Sequence, residues 1–255
     1  MNTDELHSFL NEKAAHYEQP FFLESDPIQI PHQFSSKEDI EIIGFLTASV
    51  AWGNRLSIIK SGQKMSELLE HDPYRFILHH QKKDLTALKP FVHRTFNGID
   101  FCYFITALRH IYVHHGGLEE AFTKNPKAHS MEMNINHFRS LFFELAHEKR
   151  TEKHVADPLR GSAAKRINMF LRWMVREAKK GVDFGLWSRI TPAQLSCPLD
   201  VHSGNVARSL GLLKRKQNDQ KAVMELDTAL RKLDPIDPVK YDYALFGLGV
   251  FEDFS

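Results

Sequence analysis

The sequence of 255 residues predicts an all-α protein of roughly ten helices. Apolar residues recur three or four positions apart in most segments of the chain, which is the spacing that buries one face of a helix. No stretch alternates apolar and polar residues for long enough to specify a β-sheet. With 42% hydrophobic and 25% charged residues, the chain can bury a large core, as one large domain or two packed lobes.

The first predicted helices are bounded by recognisable start and stop signals. Residues 38–51 form a mostly buried helix that Ser35 and Ser36 initiate and that Trp52-Gly53-Asn54 ends or bends. Asp72-Pro73 opens a further element. The helical spacing also predicts helices over residues 55–70, from Phe101 to Val113 and from about Asn136 to Lys149.

The second half begins with a predicted amphipathic helix over residues 165–176. Its apolar side packs on the core, and Arg166, Arg172 and Arg176 occupy its other, basic faces. One helix is predicted directly after the Pro198-Leu199-Asp200 corner, and two more are predicted over residues 219–233 and from Lys240 to about Gly249.

Several classes of protein are not indicated by the sequence. The longest apolar runs fall far short of the ~20 residues that span a membrane, and the acidic Met1–Leu6 segment is unlike a signal peptide. We therefore expect a cytoplasmic protein without a membrane partner. Cys102 and Cys197 lack the Cys-x-x-Cys spacing, and the histidines, including His114-His115, lack a helical i, i+4 carboxylate partner. No metal and no cofactor are expected.

Positive charge is concentrated in one segment. Residues 151–216 contain 13 Lys/Arg and 5 Asp/Glu, whereas the segments before and after them are net negative. This distribution indicates a surface that binds a polyanion. The alternative is a set of ordinary solvated helix faces.

Two short segments carry the chemistry. Pro198-Leu199-Asp200-Val201-His202, with Arg208 after it, resembles the Pro-Val-Asp-x-His…Arg corner of the helix-hairpin-helix (HhH-GPD) DNA glycosylase superfamily. Leu159, Gly161 and Lys165 match the Leu-Pro-Gly-x-Gly-x-Lys hairpin of that superfamily. The 35-residue interval between Lys165 and Asp200 is nearest to the archaeal 8-oxoguanine glycosylase branch.

The chain also resembles an uncharacterised bacterial family, DUF2400, in its Leu-Asp-Val-His and Ala-Leu-Phe-Gly-Leu-Gly motifs, residues 199–202 and 244–249. The glycosylase resemblance implies a two-lobed helical fold. Its parts would be a six-helix-barrel-like lobe over about 36–150, a hairpin and catalytic-aspartate segment over about 151–216, and C-terminal helices over 217–255 that pack back on the first lobes.

The resemblance implies a monomeric DNA repair enzyme that excises a damaged, perhaps oxidised, base flipped out of double-stranded DNA. Asp200 would stabilise the positive charge on the sugar. Lys165, pushed toward its neutral form by neighbouring cations, would be the nucleophile of a bifunctional glycosylase/AP lyase. The implied DNA-binding residues are Gly161, Ser162, Ala163, Ala164, Arg166, His202 and Arg208. The implied base pocket consists of Trp52, Met169 and Pro198.

Each assignment has an alternative. In the alternative interpretation, Asp200 is only the N-cap of a helix and Arg208 only holds the corner in place. Trp52 and Met169 are then core residues. Arg160 and Ala163 replace the proline and second glycine of the hairpin, which favours a non-catalytic nucleic-acid-binding protein with the same fold as the second hypothesis. A third hypothesis is a helical hydrolase that uses the histidines.

Overall fold

A computed structural model describes residues 2–254, and α-helices account for most of them. In chain order the helices are α1 (Thr3–Tyr17), α2 (Lys37–Ser49), α3 (Arg55–Leu68), α4 (Pro73–His79), α5 (Gly98–His114), α6 (Leu118–Ala121), α7 (Glu132–Phe142), α8 (Lys165–Val175), α9 (Val201–Ser209), α10 (Gln220–Leu233) and α11 (Tyr241–Phe251). The all-α prediction is confirmed. None of the helices described within residues 2–254 combines the length and the apolarity needed to cross a lipid bilayer.

Short 3₁₀ turns and one small hairpin connect the helices. The 3₁₀ turns are Pro20–Ser25, Pro27–Gln29, Pro31–Gln33, Asp84–Leu88, Lys149–His154, Pro158–Arg160, Ala178–Lys180, Pro192–Gln194 and Pro238–Lys240. The hairpin pairs β1 (Val92–His93) with β2 (Phe96–Asn97) in antiparallel register, Val92 opposite Asn97 and His93 opposite Phe96. Two-residue strands are too short for an alternation pattern to predict.

One helix was not predicted, and another ends well before its predicted end. The sequence analysis did not predict α1, whose local signal is a capping box in which Asn2 and Glu5 exchange hydrogen bonds of 2.9 Å. The helix expected to end near residue 149 ends at Phe142, because the Tyr103 hydroxyl donates a 2.7 Å hydrogen bond to the Phe142 carbonyl. That bond satisfies a terminal carbonyl from a distant part of the chain.

The chain divides into two compact units, which are described separately. Unit 1 comprises Met1–Phe22, Lys127–Met133 and Asp157–Ser255, and unit 2 comprises Leu23–Pro126 and Asn134–Ala156. The three-part organisation that the glycosylase resemblance implies stays a prediction.

Unit 2 has a core of packed phenylalanines. The Phe45 ring lies 5.4 Å from the Phe138 ring and 5.9 Å from the Phe104 ring, and Phe122 stacks on Phe138 at 3.9 Å. All four side chains are buried. Such aromatic pairs add specific edge-to-face and stacked contacts to the burial of apolar area, so they tie α2, α5, α6 and α7 together.

Unit 1 is organised around α11, which packs against both α1 and α9 through two glycines. A Cβ atom at Gly247 would lie 2.2 Å from Cδ2 of Tyr17 in α1, and one at Gly249 would lie 3.1 Å from Cβ of His202 in α9. The absence of a Cβ atom lets the Tyr17 ring and His202 lie directly against the backbone of α11. The two glycines of the Gly-Leu-Gly motif therefore allow α11 to pack closely on α1 and on α9, the helix that follows Asp200.

Candidate active site

The candidate site lies in unit 1, where the first residue of α8 faces the residue that caps α9. The Lys165 Nζ atom is 3.8 Å from the Asp200 Oδ2 atom, although 35 residues separate them in the chain. Their side chains are 28% and 23% exposed, respectively. The pair is thus accessible to a ligand while being held by the protein.

Asp200 is fixed by a two-way cap of α9. Its Oδ1 atom accepts a 3.0 Å hydrogen bond from the backbone N–H of Ser203, and its own backbone N–H donates to Ser203 Oγ, also at 3.0 Å. The N-cap prediction is confirmed. Because the cap uses Oδ1, the other oxygen, Oδ2, is the one that faces Lys165, and the capping and site roles coexist on one side chain.

Arg208 holds the segment that supports this corner. Its guanidinium donates to the carbonyls of Arg215 (2.8 Å) and Lys216 (3.0 Å) and to the Asn218 side chain, and Asn218 in turn donates to the Asp200 carbonyl at 2.8 Å. These bonds favour the corner-holding role of Arg208, while its predicted contact with phosphate stays a prediction. The sequence analysis missed Asn218, for which no local signal exists.

Gly204 makes room for the pair formed by Arg208 and Asn218. A Cβ atom at this position would lie 2.9 Å from both the Arg208 Nη1 and the Asn218 Oδ1 atoms. Like Asn218, Gly204 was not singled out by the sequence analysis, because a glycine within a helix pattern does not reveal what approaches it.

Lys165 follows a tightly bonded turn over residues 157–164. The backbone N–H groups of Gly161 and Ser162 donate to the carbonyls of Pro158 (2.9 Å) and Asp157 (3.3 Å), and that of Ala164 donates to Ser162 Oγ (3.2 Å). These amides were predicted to bind phosphate, and a phosphate there would compete with internal acceptors. Their DNA-binding role stays a prediction.

The turn also contains two left-handed residues, which set the start of α8. Gly161 has φ +87° and Ala164 has φ +45°. A left-handed conformation costs a non-glycine residue about 1 kcal/mol. The turn is anchored at its carbonyls, since Gly161 O accepts from the Gln220 backbone N–H at 3.0 Å and Ala163 O accepts from the Asn168 side chain at 3.1 Å.

Two arginines of α8 are not where the sequence analysis placed them. Arg172 and Arg176 are 4% and 5% exposed, so the prediction that α8 presents them on basic faces is wrong. Arg176 binds Glu18 (2.6 Å), Asp183 (2.7 Å) and Asp237 (2.8 Å), and Arg172 pairs with Asp183 and Asp242. Buried guanidinium groups require such partners. The net charge of residues 151–216 therefore overstates the exposed positive charge of this segment.

Asp242 connects this buried network to the candidate site. Burial raises the pKa of its carboxyl to about 6, against the attraction of Arg172, and the charges of Asp200 and Lys165 also act on it, in opposite directions. Its Oδ1 atom lies 3.8 Å from the Cys197 Sγ atom. Burial raises the pKa of the Cys197 thiol well above its ordinary value, so this cysteine stays protonated and unreactive.

The remaining predicted residues fall in different surroundings. His202 is exposed on α9, whereas Pro198 and Met169 are buried in unit 1. Arg166 is half-buried, and desolvation lowers its pKa to about 10. Trp52 lies in unit 2, with its ring stacked on that of His154 and perpendicular to that of His93. The base-pocket roles of Trp52, Met169 and Pro198 and the DNA-binding roles of His202 and Arg166 stay predictions.

Metal-ligating side chains do not converge at the candidate site. Among residues 2–254, one group of three metal-ligating side chains has its donor atoms within 4.8 Å of one another. It consists of His110, His115 and Glu144 and lies in unit 2. The Lys165–Asp200 site is therefore an amine beside a carboxylate. Such a pair can supply a nucleophile and a negative charge to an electrophilic carbon.

Comparison with known families identifies one match. The family model described as "Protein of unknown function (DUF2400)" matches residues 26–251, a range that includes Lys165, Asp200 and the Gly-Leu-Gly motif of α11. No curated protein and no solved structure matched the chain. The match covers most of the sequence, and the chain belongs to the DUF2400 family.

Proposed function

We propose that this protein is a DNA N-glycosylase that excises a damaged base from double-stranded DNA, with Lys165 and Asp200 as its catalytic residues. The observation that supports the proposal most directly is the 3.8 Å separation of the Lys165 amine and the Asp200 carboxylate at the starts of two helices. A two-residue mechanism requires both groups within reach of one sugar carbon. Two partly exposed groups at this distance meet that requirement.

The proposed chemistry assigns one step to each group. Asp200 Oδ2 stabilises the positive charge that develops on the sugar as the bond between C1′ and the base breaks. The departing base takes the bonding electrons and a proton from the Lys165 ammonium group, and either water or the resulting free amine then forms the new bond to C1′. In a bifunctional reaction, the deprotonated Lys165 amine attacks C1′, and opening of the sugar ring then gives a protonated imine that borohydride reduces to a stable adduct.

The excision assay uses duplexes that carry 8-oxoguanine, uracil, an alkylated base or an oxidised pyrimidine, with borohydride trapping in parallel. We expect excision of at least one of these lesions, loss of the trapped adduct in Lys165→Gln, and excision slower by about 10²–10³ in Asp200→Asn, the usual effect of removing one electrostatic stabiliser. Absence of excision and of adduct with every lesion at high enzyme concentration contradicts the proposal.

The chain offers a matched control for each variant. Lys240 is ion-paired with Asp234 and is 24% exposed, so Lys240→Gln removes a comparable lysine away from the site. Asp219 caps α10 through the Ala222 backbone N–H and pairs with Arg215, so Asp219→Asn repeats the change at another cap. Both controls are expected to retain excision.

The second candidate function is a nucleic-acid-binding protein that does not catalyse a reaction. It is favoured by the fact that the cap and the ion pair already account for both oxygens of Asp200 in purely structural terms. This candidate predicts salt-dependent binding that is indifferent to lesions and unchanged in Asp200→Asn. Fluorescence anisotropy with intact and lesion-bearing duplexes at two salt concentrations distinguishes it from the glycosylase.

A further inference from the structure

Two histidines and a glutamate converge in unit 2, at the end of α5 and just after α7. The His110 Nε2 atom lies 2.8 Å and the His115 Nε2 atom 3.3 Å from the Glu144 Oε2 atom, and the two Nε2 atoms are 3.1 Å apart. We propose that these three residues bind a divalent transition-metal ion of the zinc class, in a site that ties the C-terminal end of α5 to the segment after α7.

The triangle of donor atoms has the size that such an ion requires. Zinc lies about 2.0–2.2 Å from imidazole nitrogen and carboxylate oxygen, so tetrahedral ligand atoms are ~3.3 Å apart. The three edges here are 3.1, 2.8 and 3.3 Å. A metal ion ~2.1 Å from all three donor atoms would lie ~1.1 Å outside their plane. To reach the ideal separation of ~3.3 Å, the donor atoms would have to move by only a few tenths of an ångström. The fourth position would be left to water, as in zinc sites with three protein ligands.

The end of α5 creates this arrangement. Residues five apart in a continuous helix point about 140° away from each other, so His110 and His115 could not share a ligand there. Instead α5 ends at His114, and His115 takes a non-helical conformation with φ −128° and ψ 18°. Gly116 and Gly117 follow with φ +71° and +92° and turn the chain. The non-helical φ of His115 places its ring 4.8 Å from the His110 ring.

The charges around the triangle suit a cation. The hydrogen bond from His110 lowers the pKa of Glu144, which keeps its carboxylate ionised at neutral pH. Burial, together with the charges of Lys124 and His115, lowers the pKa of the neighbouring His137 on α7, which disfavours a positive charge beside the triangle. Two neutral imidazoles and a carboxylate are a zinc-type donor set. Because protons compete with a metal ion for the Nε2 atoms, binding should weaken as the pH falls.

The test is a titration of chelator-treated, dialysed protein with Co²⁺, followed by its visible d–d absorption, and with Zn²⁺ in competition. We expect one Co²⁺ per chain and at least tenfold weaker binding in His110→Ala, His115→Ala and Glu144→Gln. His79→Ala is the matched control, since His79 is an exposed histidine at the C-terminal end of another helix of unit 2. This control should bind Co²⁺ as the unmodified protein does.

A second measurement keeps the proposal testable if an alanine variant folds poorly. Glu144→Gln retains an oxygen that accepts the histidine hydrogen bonds, so its melting temperature without metal should match that of the unmodified protein. Zinc should then raise the melting temperature of the unmodified protein and of His79→Ala but not of Glu144→Gln. Absence of Co²⁺ binding, or equal affinity in all variants, would overturn the proposal and leave a hydrogen-bonded cluster without metal.

Discussion

Replacing Asp200 in two different ways separates its structural role from its proposed catalytic role. Asp200→Asn preserves an oxygen in the position of Oδ1, and asparagine caps helices as well as aspartate does. The change removes the negative charge that faces Lys165 at 3.8 Å. A partly exposed ion pair contributes about 0–1 kcal/mol to the free energy of unfolding, and a charge at a helix N-terminus about 0.3–1 kcal/mol. We expect Asp200→Asn to lose about 1 kcal/mol.

Asp200→Ala removes the same charge and also the cap. The Ser203 backbone N–H loses its 3.0 Å acceptor, and loss of an N-cap costs about 1 kcal/mol more. We therefore expect a total loss of about 2 kcal/mol, measured by urea denaturation followed by circular dichroism at 222 nm. In thermal melts the two variants should differ by about 3 °C.

The same two proteins are then compared in the excision assay. The proposal requires both to be slow, because both lack the charge that stabilises the sugar cation, although only one lacks the cap. Equal destabilisation by the two changes would refute the separation of the roles of Oδ1 and Oδ2. Normal excision by Asp200→Asn would refute the catalytic role while leaving the cap intact.

Two further predictions concern the core of unit 1. Gly247→Ala should lower the free energy of unfolding by about 1–3 kcal/mol, because the new Cβ atom would lie 2.2 Å from the buried ring of Tyr17. Gly249→Ala should lower it less, because the nearest contacts of its Cβ atom would be at 3.1 Å. Urea denaturation measures both changes. Asp227 accepts a 2.9 Å hydrogen bond from the Cys197 backbone, and burial raises its pKa to about 6. A raised carboxyl pKa means that the folded state holds the proton more tightly than the unfolded state, so this group lowers stability as pH rises from about 4 to about 6. Asp227→Asn should therefore gain stability relative to the unmodified protein over that window. Urea midpoints of both proteins are measured at pH 4.5 and at pH 7. The same difference between the two proteins at both pH values would contradict this sign.

Local patterns were sufficient to predict where most helices begin and which class of fold they form. The starts of α3 and α8, at Arg55 and Lys165, coincide with the predicted positions, and the cap at Asp200 follows from an acidic residue placed before an amphipathic run. These features depend on neighbours within a few residues. The position of α7's end could not be predicted in this way, because the Tyr103 hydroxyl that bonds its last carbonyl comes from another helix.

The roles of charged residues were the least predictable. Arg172 and Arg176 had the spacing of exposed helix residues, yet their carboxylate partners at positions 18, 183, 237 and 242 come from distant segments and allow both guanidinium groups to be buried. Similarly, His110 and His115 have the wrong spacing for one helix face, and the non-helical backbone of His115 at the end of α5 brings their rings together.

By itself, the sequence determined the all-helical class, the cap at Asp200, the motifs of the family and the two residues most worth testing, since each of these depends on residue type and short-range spacing. Only the tertiary structure decided how close Lys165 lies to Asp200, that two arginines are interior and that three metal-type donors converge after α5. Contacts between residues far apart in the chain are set by how the helices pack, and that packing is a property of the whole core.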